Sequence, residues 1–315
     1  KSSVNTFLIQ INARQKIDMS SPKTIALLVT EAVLDISGLI CNGFIVIVII
    51  QWTKCRTLAS IEQLLLSLAL SNGCVTIVIG VFHFGFASED NFSSLIFEIW
   101  YSFFFFAVIF RYWLTALLCF FYCIKIVSST HTFFLWCKLR MSWLIPRLLV
   151  GSVIIALLAF IVSLSTMHIS PQESPVANDT MLTRGKLLKE TITSFDMFFS
   201  AVGSGCPFLV VLLCSILVVA SLCGHICQMS GKEPHLRSFQ TKAHIKAAGT
   251  VLSLLLLYLL FFIVQTFSMT ENIEYSEEFI LAVMAVYSPA QAAILVLNNP
   301  KLKKGLSLMV QRIKL

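Results

Sequence analysis

The chain has 315 residues, of which 57% are apolar and 12% charged, with a formal net charge of +7. A soluble domain charges about a quarter of its residues, so this composition excludes a water-soluble fold and points to lipid as the solvent. The basic excess needs no nucleic-acid partner, because its placement along the chain follows membrane topology.

Residues 1–24 come first and are the least apolar part, with Lys1, Arg14, Lys16 and Lys23 against Asp18. They lack the apolar core of a signal peptide. The chain starts with Lys1, while Met19 stands just ahead of the first apolar run. Residues 1–18 are therefore expected to be either a disordered extension or no part of the natural protein.

Seven long apolar stretches follow: Ile25–Ile50, Leu64–Phe86, Leu95–Ile124, Trp143–Met167, Phe195–Cys223, Ala247–Ser268 and Phe279–Leu297. Each is near or above the roughly 20 residues a helix needs to cross hydrocarbon. A barrel would alternate apolar and polar residues in segments of about ten, and Val251–Val264 does not alternate. The predicted fold is all-α: a seven-transmembrane helical bundle over 25–297, an extracellular segment over 1–24, and a short basic tail over 298–315.

Charge sets the orientation. If the N-terminus is outside, the inner segments hold Lys54, Arg56, Lys125, Lys138, Arg140, Lys232, Arg237, Lys242 and Lys246, with Glu233 as their carboxylate, and the tail adds Lys301, Lys303, Lys304, Arg312 and Lys314. The outer loops hold Glu89, Asp90, Glu173, Asp179, Glu190, Glu271, Glu274, Glu277 and Glu278 against three basic residues, Arg184, Lys186 and Lys189. Basic residues mark the cytoplasmic face, so the C-terminus lies inside. The sequons at Asn178 and Asn91 both fall on the outer face and are expected glycosylation sites.

All ten cysteines lie in spans or toward the inner side. Only the oxidising face favours structural disulfides, so none is expected. Cys223, His225 and Cys227 have metal-like spacing, but apolar thiols at a helix end are the plainer reading; no metal and no cofactor is expected. Cys55, Cys137 and Cys227 are placed for palmitoylation. Among charged residues within spans (Glu31, Asp35, Glu98, Arg111 and Arg147), Arg111 is the one deep inside, where a structural contact and a functional one are equally open. Pro207, well inside the fifth span, should kink it and turn a freed carbonyl toward the bundle. Pro300 after Asn299 should stop the last span.

There is no His-Glu-x-x-His and no phosphate-binding Gly-rich loop, so an enzyme is not expected. A receptor coupled to a G protein is the main reading. A transporter or channel is the rival, although no repeat relates the two halves.

The inner ends of the helices carry a resemblance. Trp113 followed by Phe121-Tyr122-Cys123-Ile124-Lys125-Ile126, then Phe134-Leu135-Trp136-Cys137-Lys138-Leu139-Arg140, resembles the third span and second inner loop of type 2 (bitter) taste receptors. Gly38-x-x-x-Asn42-x-Phe44-Ile45, Leu66–Ser71, Pro207-Phe208, Ser221-Leu222-x-x-His225-x-x-x-Met229, Thr241-Lys242-Ala243-His244 and Asn299-Pro300-Lys301-Leu302-Lys303 are similar to that family as well. Asn72, Gly249 and Gln291-Ala292 depart from it, standing where the family usually has Arg, Lys and His-Ser, so the chain resembles a divergent member.

The resemblance implies a plasma-membrane receptor for bitter small molecules that signals through a gustducin-type heterotrimeric G protein to calcium release. It implies a ligand site between the outer halves of spans three, five, six and seven, at Phe104, Val108, Phe199, Gly203, Phe261, Gln265, Leu281 and Met284, with His83 from span two. Aromatic and Met walls favour bulky apolar ligands at modest affinity. It implies a coupling surface at Tyr122, Lys125, His225, Met229, His244 and Lys246, where a partner helix docks by its apolar face.

Overall fold

The computed structural model describes residues 22–53, 57–85, 94–127, 132–169, 201–229, 234–269 and 277–313. The N-terminal residues 1–18, Phe199, and both sequons at Asn91 and Asn178 lie outside them. The helices, in chain order, are α1 (Pro22–Thr53), α2 (Ser60–Gly85), α3 (Ser94–Ile126), α4 (Thr132–Leu139), α5 (Met141–Ile169), a π-helical turn (Ala201–Gly205) leading into α6 (Cys206–Met229), α7 (Pro234–Met269), α8 (Glu277–Asn298) and α9 (Pro300–Ile313). Spans one to three are α1 to α3, and spans four to seven are α5 to α8.

Five helices carry a described stretch long and apolar enough to cross a membrane, while α7 and α8 contribute the shorter apolar stretches Ala248–Val264 and Val283–Asn298. In lipid every backbone group must be satisfied within its own segment, which makes helices the natural solution. α3 is the central post, packing on α2, α5, α6 and α7, and α1 closes the ring between α2 and α8. Lipid-facing residues such as Ile40, Leu256 and Leu297 are exposed in the isolated chain, whereas Ile45, Leu68, Leu118, Val211, Leu254 and Leu295 fill one continuous core.

Helices outrun the apolar stretches that signalled them: α7 begins at Pro234, although its apolar run begins at Ala247. Hydropathy marks the lipid-covered length, and polar inner turns continue the helix into the interface. The second inner loop contains α4, which buries Cys137 and exposes Leu135 and Leu139. Burial also raises the Cys137 thiol above its ordinary pKa. A buried, protonated thiol is a poor acyl acceptor, so Cys137 is withdrawn as a palmitoylation site, whereas Cys55 lies outside the described residues.

The tail is a helix rather than an unstructured basic segment. α8 does stop before Pro300, and the Asn299 side chain then starts α9 by accepting from the backbone N–H groups of Lys301 (3.0 Å) and Leu302 (3.4 Å). α9 buries Leu302 and sets Gly305 so close to α1 that a Cβ there would meet Val48 at 3.0 Å, while Leu306, Leu308, Met309 and Val310 are exposed beside Lys303 and Lys304. Glu62 corrects the inner charge distribution, because the start of α2 places a second carboxylate there besides Glu233. It accepts from the Ala59 N–H at 3.0 Å, one half of a capping box. Its other oxygen takes Lys301 Nζ of α9 at 2.9 Å, tying the tail to α2.

Candidate functional site

Two buried polar regions lie side by side in the bundle. The first is a seam of neutral groups joining α1, α2, α3 and α8. Gly38 lets α8 approach α1 so closely that a Cβ would meet the Ser288 hydroxyl at 3.1 Å, the role small residues play between membrane helices. One turn on, Asn42 Nδ2 donates to the Gly38 carbonyl (2.9 Å) and to Ser288 Oγ (3.1 Å). Asn72 Nδ2 donates to Asn42 Oδ1 (3.2 Å) and to Gln291 Oε1 (2.9 Å). Gln291 Nε2 donates in turn to Thr115 Oγ1 (2.9 Å) and the Tyr287 hydroxyl (3.3 Å).

The second region is an aromatic chamber between α3, α7 and α8. Tyr112 packs on Tyr258 with centroids 4.9 Å apart and meets Phe261 edge-on at 5.8 Å, and Phe261 meets Tyr287 edge-on at 4.8 Å. Phe208 of α6 extends the wall by stacking on Phe262 at 4.8 Å. Pro207 begins the regular part of α6 just after the π-helical turn, and the Ser204 carbonyl in that turn accepts the Tyr258 hydroxyl at 2.9 Å. Ser204 is three residues before Pro207, whereas the carbonyl that the proline leaves without its helical donor is that of Gly203, four residues before it.

Arg111 enters this chamber and is 1% exposed. Its guanidinium carbon lies 4.2 Å from the Tyr287 ring centroid, 5.1 Å from Phe261 and 5.7 Å from Tyr112. An Arg at the centre of a span costs about 2.5–3.5 kcal/mol on insertion scales, and a desolvated cation–π contact returns about 0.5–2 kcal/mol. Three rings therefore offset the charge without a carboxylate. They do not satisfy the donors: Nε and Nη1 are buried with no acceptor among the described residues.

Of the expected ligand residues, Phe104, Val108, Phe261 and Met284 belong to one core cluster, Val108 and Phe261 buried and Phe104 and Met284 partly so. Phe104 stacks on Trp100 at 6.1 Å. Gly203 is buried where α3 and the π-helical turn meet, and a Cβ on it would strike Ile109 at 2.7 Å. It is a packing contact with Ile109. His83, Gln265 and Leu281 fall within α2, α7 and α8, but their side chains are outside the described set.

On the inner face, Tyr122 is half-buried and meets Phe121 edge-on at 6.0 Å, while Lys125 is exposed in the last turn of α3. His225 and Met229 fall in the last turns of α6, and His244 and Lys246 in the inner part of α7; their side chains are likewise outside the described set. Among the described residues no cluster has the composition of a metal site.

Comparison with known proteins agrees with this architecture. The profile of the family described as Taste receptor protein (TAS2R) matches residues 19–314. The chain belongs to the type 2 taste receptor family. It is 29% identical to taste receptor type 2 member 143 of Rattus norvegicus over 306 residues, 92% of this chain and 99% of the relative. It is 30% identical to member 62 of Pan paniscus, covering 91% and 93%, and 28% identical to member 9 of Papio hamadryas, covering 92% and 94%. The family is one of multi-pass, G-protein-coupled membrane receptors and not a class of enzymes.

Set against that family, two departures explain each other. Asn72 and Gln291, at positions where type 2 taste receptors usually carry Arg and His, are hydrogen-bonded to one another. A short amide facing α8 needs a longer partner reaching back, and Gln291 supplies both an acceptor and a donor. The third departure, Gly249, is exposed on α7 with nothing within 4 Å of a Cβ position, outside the seam. The sequence flagged Arg111 but not the rings around it, since Tyr112, Phe261 and Tyr287 each read as ordinary core. The available signal was that an intramembrane cation with no nearby carboxylate in sequence requires another kind of partner.

Proposed function

We propose that this receptor detects bitter small molecules and signals through a gustducin-type heterotrimeric G protein to calcium release. Membership of the type 2 taste receptor family across residues 19–314 is the observation that carries the reading. Val108 and Phe261, buried in one apolar cluster with Phe104 and Met284 partly buried beside them, support a ligand site between α3, α7 and α8, since bundle sites are built from side chains on facing helices. His83, Phe199, Gly203, Gln265 and Leu281 complete that proposed site. Tyr122, Lys125, His225, Met229, His244 and Lys246 form the proposed coupling mouth.

Agonist-evoked calcium in cells with and without a co-expressed gustducin-type G protein tests the reading. The expected result is a signal only with the G protein, whereas substrate movement independent of it would replace the receptor reading by a transporter. Within the coupling mouth, Tyr122→Ala with Lys125→Ala should weaken signalling while leaving surface protein near wild type. Normal signalling from the double variant at matched surface level removes those two residues from the coupling surface.

A further inference from the structure

Arg111 has a direction as well as a location. Its residue lies three positions beyond Val108 on α3, so the two are neighbours on one helix face, with Arg111 about 4.5 Å nearer the cytoplasm. Long helical side chains lean toward the helix N-terminus, which for α3 is the outer end. The guanidinium therefore reaches back toward the wall of Val108 and Phe261, and it lies 5.1 Å from the Phe261 ring centroid. It forms the floor of the proposed ligand site.

The floor is electrically incomplete. Glu98 is thirteen residues toward the outer end of α3, about 20 Å along the axis, Glu62 is paired with Lys301 at the inner face, and Glu31 and Asp35 are the carboxylates buried on α1. Among the described residues no ion pair includes Arg111, and its Nε and Nη1 remain buried without an acceptor. Nε and Nη1 face different edges of the planar guanidinium, so they offer an anion two separate charge-assisted donors rather than one parallel pair. Around the guanidinium the surfaces are aromatic faces: Tyr112, Phe261 and Tyr287.

From this geometry we infer that Arg111 is an anion-recognition residue, and that the site takes ligands with an aromatic body ending in one compact anion, a carboxylate or sulfonate. The acceptor that Nε and Nη1 lack comes from the ligand, and the rings that hold the cation also stack the ligand's body. The inference deepens the receptor reading by naming a substrate class, and it rests on that reading for the place of the site.

The test uses the purified full chain in lipid nanodiscs and reads thermal stabilisation, so it needs no G protein. The probes are benzoate, 2-naphthoate and biphenyl-4-carboxylate, each paired with its neutral amide, plus sodium chloride alone at matched ionic strength. On at least one scaffold the carboxylate should bind at least tenfold more tightly than the amide. Arg111→Met should bring that ratio close to one, and Arg111→Lys, which keeps the charge but lacks the planar set of donors, should leave an intermediate ratio and serves if the Met variant fails to reach the membrane.

Equal binding of carboxylate and amide on all three scaffolds, or no binding by any, overturns the inference. So does a ratio that survives Arg111→Met. Chloride alone stabilising the wild type as much as the carboxylates would assign the open donors to an inorganic ion and also overturn it. A receptor that binds 2-naphthoate as expected but never signals would instead refute the receptor reading and leave the anion site standing.

Discussion

The amide seam and the aromatic chamber touch at Tyr287, yet they solve burial in opposite ways. In the seam, Asn42, Asn72, Gln291, Thr115 and Ser288 meet donor to acceptor across four helices, with the acceptor Asn72 Oδ1 left open. In the chamber, a full positive charge is held by ring faces while two of its donors stay open. A buried network whose donors are matched fixes helix positions and specifies one packing. A buried group left with open donors is poised to receive a partner. The seam is read as framework and the chamber as receptor.

Breaking the seam should give the largest effect. Gln291→Leu takes an acceptor from Asn72 and a donor from Thr115, while Asn72 keeps its bond to Asn42 and Thr115 its bond to the Arg111 carbonyl; one buried N–H left open costs about 1–3 kcal/mol, so a loss of about 2 kcal/mol in thermal unfolding is expected. Asn72→Leu added to it should cost less than the sum of the two, by about 1 kcal/mol of coupling. Strict additivity would mean that the two side chains do not meet.

Altering the chamber wall should change selectivity before stability. Val108→Asn or Val108→Trp is expected to reorder an agonist panel at equal surface level, because a new amide or a filled cavity shifts ligand affinity by about 1–3 kcal/mol. An unchanged rank order for both variants would move Val108 out of the ligand site.

The link between the π-helical turn and α7 is a single bond, so Tyr258→Phe should cost only about 0.6 kcal/mol, the average for such bonds between membrane helices. A loss several times larger would show that the turn depends on Tyr258 for its shape. The smallest effect belongs to the inner face, where Lys301→Ala breaks an ion pair whose cation is 49% exposed. Such pairs contribute less than about 1 kcal/mol, and the loss should shrink further as salt is raised.

The seven spans were legible because about 20 consecutive apolar residues leave a one-dimensional signal that no soluble helix imitates. α4 and α9 were not, because short amphipathic helices at the interface carry no such run. The Asn72 and Gln291 bond joins residues 219 positions apart, so the sequence shows two separate irregularities where the fold makes one complementary pair. Arg111 was visible as an anomaly, but its cage is assembled from α3, α7 and α8 and exists only after folding.

The break at Asn299 turns α9 into a float. A helix with Lys303 and Lys304 beside exposed Leu306, Leu308 and Met309 rests at the boundary between headgroups and acyl chains, neither sinking nor lifting away. Because Gly305 is pressed against Val48 and Lys301 is tied to Glu62, whatever level α9 adopts is shared by α1 and α2. Bilayer thickness and the content of anionic lipid therefore act on the bundle from its rim, trimming how high the inner ends of three helices ride in the membrane.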